Sequence, residues 1–407
     1  MPWSETSMSK ERVRFVLEWE RRWNENEGVV NLSELCREFG ISRECGHKFV
    51  RRYVDGGWDL RAVEERSRRP HRSPTAVDER MQDIVAAGRK EKPKWGPVKL
   101  RAWLMGRYPG LPFPSASAIA AILKRRGLVR AAKRRRRGGP VAGVAIPFPS
   151  CEEPNSVWCV DFKGWFLTRN GVRCYPLTLT DAYSRYILRC EAMLDPDGKG
   201  VFAVFDSAFS EFGLPRAIRS DGGPPFASTG AAGLTSLAVW WLQLGLRVER
   251  IAPGKPQQNG RHERMHRTLK LEVELQANVH AQQRAFDLWR REFNHERPHA
   301  ALGNLTPSRV YQPASRHYPR PLIHPEPFMW NRSAQVDKDG FIRLNRRKVF
   351  ISRAVRHLIV ELELIADGVW EAKWGQIVLG RIDARSLDRG IIPSRRRRGQ
   401  VSAMSLE

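Results

Sequence analysis

The spacing of apolar residues changes along the chain, and each change predicts a different kind of structure. Over residues 9–66 apolar positions recur every three to four residues, the period of helices with one buried stripe. Leu32, Leu35 and Cys36 give one helix its apolar face, FGIS supplies a glycine turn, and Ser42 is a good N-cap for the next helix. Phe49, Val50 and Tyr53 supply that helix's buried side, which leaves Arg43, Lys48, Arg51 and Arg52 facing outward. This is the form of a helix-turn-helix; a small helical bundle with a solvated basic face fits the same pattern. After the Pro/Arg-rich RSRRPHRSP a second helical unit follows. KWGPVKLRAWLMGRYPGL is one helix and its ending, and SASAIAAILKRRGLV is another, capped by Ser115 or Ser117. Ile119, Ile122 and Leu123 repeat at helical spacing, and Lys124, Arg125 and Arg126 crowd the helix end, again as in a helix-turn-helix or winged-helix module.

From about residue 153 the helical period gives way to short apolar runs that read as buried strands. Two of them end at Asp161 and Asp221; Tyr175–Asp181 and Tyr186–Cys190 are two more, and Gly200–Phe212 is an amphipathic helix. The turn-rich APGKPQQNG announces a helix that carries Glu263 near its start. Strands alternating with helices predict an α/β layer structure. Beyond Pro319 the period becomes two. FIRLN, KVFIS, HLIVELELI, VWEAKW and QIVLGRID are short strands, with hairpin turns at Asp339-Gly340 and Asp367-Gly368. They predict a small β-barrel with a basic face from Arg346, Arg347, Lys348 and Arg353, although a protein-contact module has the same pattern.

Charge adds a partner to this layout. The formal net charge is +26, with about +15 in residues 1–140, +3 in 141–310 and +8 in 311–407. The basic excess sits on the flanks, as expected if they grip a polyanion while the centre performs chemistry. Lys133, Arg134, Arg135, Arg136 and Arg137 form a run that binds phosphate without sequence preference, and the run at 394–400 has the same character. The six cysteines form no CxxC pair, so a zinc site is not expected, and reduced thiols suit a cytosolic protein. No run of 18 apolar residues occurs, so membrane insertion is not expected.

Asp161, Asp221 and Glu263 are the candidate chemistry. Taken singly, each also fits a strand-end turn, an Asp-Gly turn or a first-turn helix carboxylate. Together, two strand ends and one helix can deliver three hard oxygen ligands to one point, as Mg²⁺ prefers. Two divalent ions about 4 Å apart can clamp the attacking and leaving oxygens of a phosphoryl displacement. Arg267 and Lys270 follow Glu263 by four and seven residues and share its helix face; a salt-bridged surface would have the same spacing. Gln257, Asn259 and Gly260 read as a mobile polar loop over substrate, and His262 as a neighbour that could assist. Asp181 reads as a turn or hydrogen-bond partner beside Ser184 and Arg185.

VWCVDFKGWF, LTLTDAYSRYI, IRSDGGPPFAS and RIAPGKPQQNGRHERMHRTLK occur in this order, and FNHERPHAALGNLTPSRVY follows them. With these motifs, residues 153–312 resemble the integrase core of retroviral integrases and bacterial insertion-sequence transposases. The resemblance implies an RNase-H-like fold and a metal site of Asp161, Asp221 and Glu263 holding two Mg²⁺ (or Mn²⁺) ions. It implies a DNA transposase that cleaves 3′ ends of an insertion sequence and transfers the strand. A catalytically inactive, domesticated regulator is the alternative. One departure is the gap of 41 residues between Asp221 and Glu263, several more than usual for the family. The excess is expected in STGAAGLTSLAVWWL, as a bend and an amphipathic helix forming a surface elaboration.

The expected architecture is therefore multidomain: helix-turn-helix modules, an α/β RNase-H-like core and a C-terminal small β-barrel. Residues 1–68 and 69–130 are the two DNA-binding modules, 131–152 a basic linker, 153–318 the core, 319–390 the barrel and 391–407 a basic tail. The expected partners are double-stranded DNA (element ends and target) and further copies of the chain assembled on it, with no membrane and no nucleotide cofactor. The expected location is the bacterial cytoplasm, at the nucleoid.

Overall fold

The computed structural model describes residues 8–65, 76–129, 151–251, 259–326, 332–393 and 402–406. The chain divides into two compact units, Met1–Ala76 and Val77–Glu407.

In the first unit, α1 (Met8–Glu25), α2 (Leu32–Glu38) and α3 (Arg43–Asp55) close around Phe15, Val16, Trp19, Leu35, Cys36, Phe49 and Tyr53. Ser42 caps α3 by accepting from the Cys45 backbone N–H at 3.2 Å. Val50, expected on the buried side, is only partly covered.

The second unit opens with α4 (Glu79–Glu91), α5 (Pro97–Arg107) and α6 (Ala116–Arg125), packed around Trp95, Leu100, Trp103, Ile119, Ile122 and Leu123. Pro97 starts α5, where its missing N–H costs nothing, and Ser115 caps α6 through the Ala118 N–H. This trio is tied to the rest of the unit by Lys92, which pairs with Glu292 and Glu296 at 3.2 and 2.8 Å.

The central sheet is built from β1 (Val157–Phe162), β2 (Phe166–Leu167), β3 (Arg173–Asp181), β4 (Ile187–Met193), β5 (Ala217–Ser220) and β6 (Arg247–Arg250). β1, β3 and β4 pair antiparallel, and β5 and β6 run parallel to β1. The resulting order, β4-β3-β1-β5-β6, is that of an RNase-H-like core. Buried Arg219 and Glu249 lock β5 to β6 at 2.8 Å. Alternation along β1 sends Trp158 and Val160 to one face, into the cluster of helix α7 (Gly198–Phe212), and Cys159 and Asp161 to the other. On that other face lie α9 (Gly260–Glu272) and α10 (Val279–His295), packed through Met265, Leu269, Phe286 and Trp289.

One expectation is overturned here. The extra residues before Glu263 form a short turn at Ala231–Gly233 and α8 (Ser236–Gln243), and they are core. Leu237, Ala238, Val239, Trp241, Leu242 and Gln243 are all buried, so the helix is apolar nearly all round. The reason is tertiary: the C-terminal strands pack over this segment, and their side chains share its hydrophobic cluster.

After α11 (Pro307–Val310) come β7 (Arg332–Gln335), β8 (Phe341–Leu344), β9 (Arg347–Phe350), β10 (Ile359–Ala366), β11 (Val369–Trp374), β12 (Ile377–Asp383) and β13 (Ile392–Pro393). They form a five-stranded antiparallel sheet, β13-β12-β11-β10-β7, and a separate hairpin β8-β9. Beyond the basic run, which lies outside the described residues, β14 (Ser402–Met404) pairs antiparallel with β6, so the tail extends the central sheet. No described helix is long and apolar enough to cross a membrane.

Candidate functional site

Asp161 leaves β1 directly opposite Thr178 of β3, on the sheet face covered by α9. β5 runs parallel to β1 and ends at Ser220, so Asp221 emerges at the neighbouring strand end. Its Oδ1 accepts from the Gly223 N–H at 3.3 Å, which steadies the loop. Glu263 lies in the first turn of α9 and is exposed.

The electrostatics link these three acids. Burial pushes the Asp161 carboxyl up to about 7; the Asp221 charge adds to the rise, and the Glu263 charge adds less. The Phe162 N–H and the Lys163 ammonium pull the other way. Asp221 is also raised, chiefly by burial. Carboxylates that resist ionisation beside one another suit a site that takes up cationic charge.

Behind Asp161 is a buried polar cluster. His262 and His266, four apart on α9, both place Nε2 on the Thr178 hydroxyl, at 2.7 and 2.6 Å. His262 Nδ1 meets the Thr180 hydroxyl at 2.9 Å, so both of its nitrogens are occupied within the protein. His266 Nδ1 lies 3.7 Å from Asp161 Oδ2. Burial holds both rings neutral, with His262 lowered to about 3 and His266 to about 2. Donor atoms of Asp161, His262 and His266 all lie within 4.8 Å of one another. Because His262 is fully engaged by threonines, we read this as a scaffold for the carboxylate and not as a separate three-ligand cage. Thr178→Val is expected to cost about 1–3 kcal/mol, since it leaves buried imidazole nitrogens without their partner. Chemical denaturation reads this directly, and a loss below about 0.5 kcal/mol would show that the hydroxyl is not shared.

The remaining residues singled out in the sequence are scattered. Arg267 and Lys270 are exposed on the Glu263 face of α9. On α3, Arg43, Lys48 and Arg51 are exposed, while Arg52 is half-buried with its guanidinium 5.7 Å from the Phe49 ring centre. Lys124 and Arg125 are exposed at the end of α6; Arg126 instead pairs with Asp83 at 2.8 Å. Asn259 departs from expectation: it takes the N-cap position of α9 and is only 3% exposed, so its side chain does not line an open loop. Lys133, Arg134, Arg135, Arg136, Arg137 and Gln257 lie outside the described residues. Asp181 is buried and accepts from Asn155 N, Ser184 N and Ser184 Oγ, the hydrogen-bonding role expected of it. The sequence reading missed Thr178 and His266. Their signal was there: threonines alternate with leucines in LTLTD, and two histidines lie four apart on one helix face.

Known proteins resemble the chain over this same stretch. The integrase core domain family matches residues 152–256 and 244–307. A 31.7 kDa protein of insertion element IS407 from Burkholderia multivorans is 31% identical over 196 residues, 47% of this chain and 66% of that protein. A 39.2 kDa protein of insertion element IS476 from Xanthomonas euvesicatoria is 30% identical over 179 residues, 43% of this chain and 49% of that protein. The match thus spans two thirds or less of these relatives' own length. Among solved structures, the magnesium-bound catalytic core domain of HTLV-2 integrase aligns with 40% of this chain and 99% of its own, at 15% identity and a TM-score of 0.30. Residues 152–307 thus carry an integrase core domain, and there the chain is similar to proteins of bacterial insertion elements.

Proposed function

We propose that this chain is an active DNA transposase: it cuts a phosphodiester at the ends of its element to free a 3′-OH, and joins that 3′-OH to target DNA. The observation that carries this reading is the placement of Asp161, Asp221 and Glu263 on two adjacent strand ends and the covering helix, close enough for their charges to be felt at Asp161.

Asp161, Asp221 and Glu263 would hold two Mg²⁺ or Mn²⁺ ions. The donor set fits: three hard oxygen donors, two of them in environments that penalise their negative charge. Bound divalent ions supply Lewis-acid stabilisation of the attacking and leaving oxygens. The chain's own residues do the rest. Thr178, His262 and His266 fix the back of the Asp161 carboxylate and exclude water from that side. Arg267 and Lys270 offer cations to the DNA backbone beside the reacting phosphate. The α2–α3 pair, with Arg43, Lys48 and Arg51 exposed, reads sequence at the element ends, and the α4–α6 trio adds contacts through Lys124 and Arg125. Two ends must be cut and joined together, so the working form is a multimer of the chain on DNA.

Glu263→Gln tests the chemistry with the least change of shape. It is expected to bind end DNA as the parent does and to lose Mg²⁺-dependent nicking by at least about a hundredfold. Nicking at the parent's rate would remove Glu263 from the site.

A further inference from the structure

A concavity of about 250 Å³ opens on the sheet face that carries α9. Its wall takes Lys99 from α5, Arg185 from the turn after β3, Arg261 and Arg264 from α9, and Arg297 and His299 from the chain after α10. Five cationic side chains thus converge on one small volume. Asp181 is the acid in the lining, and its oxygens already accept from Asn155 N, Ser184 N and Ser184 Oγ.

The positive charge is poorly offset. Arg297 is matched by Glu272, and Arg261 donates to the Ala182 carbonyl at 3.1 Å and to Cys151 Sγ. Arg185 donates to the same carbonyl. Among the described residues, Lys99, Arg185 and Arg264 form no ion pair; Glu272 acts on Lys99 and Asp181 on Arg185 at longer range, without reversing the effect of burial. Burial, together with Arg297, pulls the Lys99 pKa below its ordinary value; burial and Arg261 do the same to Arg185. The His299 ring is held neutral by burial and the surrounding cations, and its Nε2 is buried with no hydrogen-bond partner among the described residues. Crowded cations in a half-dry concavity are costly unless an anion completes them, and guanidinium forks match phosphate oxygens.

We propose that this pocket binds a phosphate of a DNA strand. His262 and Thr180 form part of its wall. The Nε2 edge of the same imidazole rests on Thr178, which lies opposite Asp161, so one ring separates the pocket from the carboxylate centre. A strand passing the exposed Arg267 and Lys270 face of α9 would meet Arg264 on the neighbouring face of the same helix. The DNA part of this proposal rests on the transposase reading; the anion pocket does not.

Lys99→Met in the full chain is the test, with Arg264→Gln at the rim as a second variant. Thermal unfolding is followed in inorganic phosphate against chloride at equal ionic strength, and binding of a short duplex is followed across salt, both without divalent metal. Phosphate should stabilise the parent, and each variant should need about tenfold more phosphate for the same shift. In chloride, Lys99→Met should unfold at a higher temperature than the parent, because a poorly solvated cation is gone. The slope of log affinity against log salt should fall by about one for each variant. Equal phosphate responses in the parent and both variants would overturn the pocket. A lost phosphate response with an unchanged salt slope would mean that it takes free phosphate and not DNA. Neither readout needs strand cleavage, so failure of the transposase reading would show separately.

Discussion

Replacing Asp161 by asparagine is expected to reduce metal-dependent cleavage by at least about a thousandfold while making the metal-free protein more stable near pH 8. The two effects have one cause. In the folded chain burial, reinforced by Asp221 and to a smaller degree Glu263, lifts the Asp161 carboxyl to about 7, against an ordinary value of 3.8. An unfolded chain therefore releases this proton near pH 4 and the folded one near pH 7. Stability linked to the protonated carboxyl is complete below pH 4 and is lost as pH rises through 7. The side chain is 25% exposed, so the loss is of the order of 2–4 kcal/mol at most. Asparagine cannot ionise, and its unfolding midpoint should lack that decline between about pH 4 and pH 7. Parallel pH profiles for the two proteins would rule out the raised carboxyl. In the parent, divalent ions should bind more tightly as pH climbs from 6 to 8 and should displace a proton as they do, which calorimetry in two buffers can count.

What the sequence made legible is mostly what local pattern controls. The strand leading to Asp161 announces itself because Val157, Trp158, Cys159 and Val160 are apolar in succession, as a strand covered on both faces requires. Ser42 and Ser115 mark their helix starts because capping is a local hydrogen bond. Glu263 and Lys270 share a helix face by period alone. The misreadings arise where distant chain decides. Nothing near Asn259 says that its side chain will be enclosed. The Thr178–His262–His266 cluster joins residues more than eighty apart, and only the packing of α9 on β3 makes those hydroxyls and imidazoles partners. The segment 228–242 reads as a surface elaboration because the strands that cover it lie about a hundred residues later.

That last correction leads to a large expected effect on stability. Trp241→Ala should cost about 3–5 kcal/mol, the range for deleting a large aromatic side chain from a core that cannot collapse around the space. Trp241 is 0% exposed. Its ring lies edge-on to Phe205 of α7 at 4.7 Å and parallel to Phe226 at 6.3 Å. Phe226 belongs to the loop that begins at Asp221, so α8 also supports the position of one of the three acids. One feature reduces the cost: the indole Nε1 is buried with no hydrogen-bond partner among the described residues, and its removal relieves about 1–3 kcal/mol of that penalty. The lower part of the range is therefore the better expectation. Trp240→Ala, at a partly covered ring stacked on Phe202, should cost less. Denaturant midpoints of both variants, with nicking rates measured well below unfolding, separate the two roles. If Trp241→Ala loses under about 1 kcal/mol, the helix is a surface addition after all. If it is destabilised yet nicks at the parent's rate, α8 supports the fold without holding Asp221 in place.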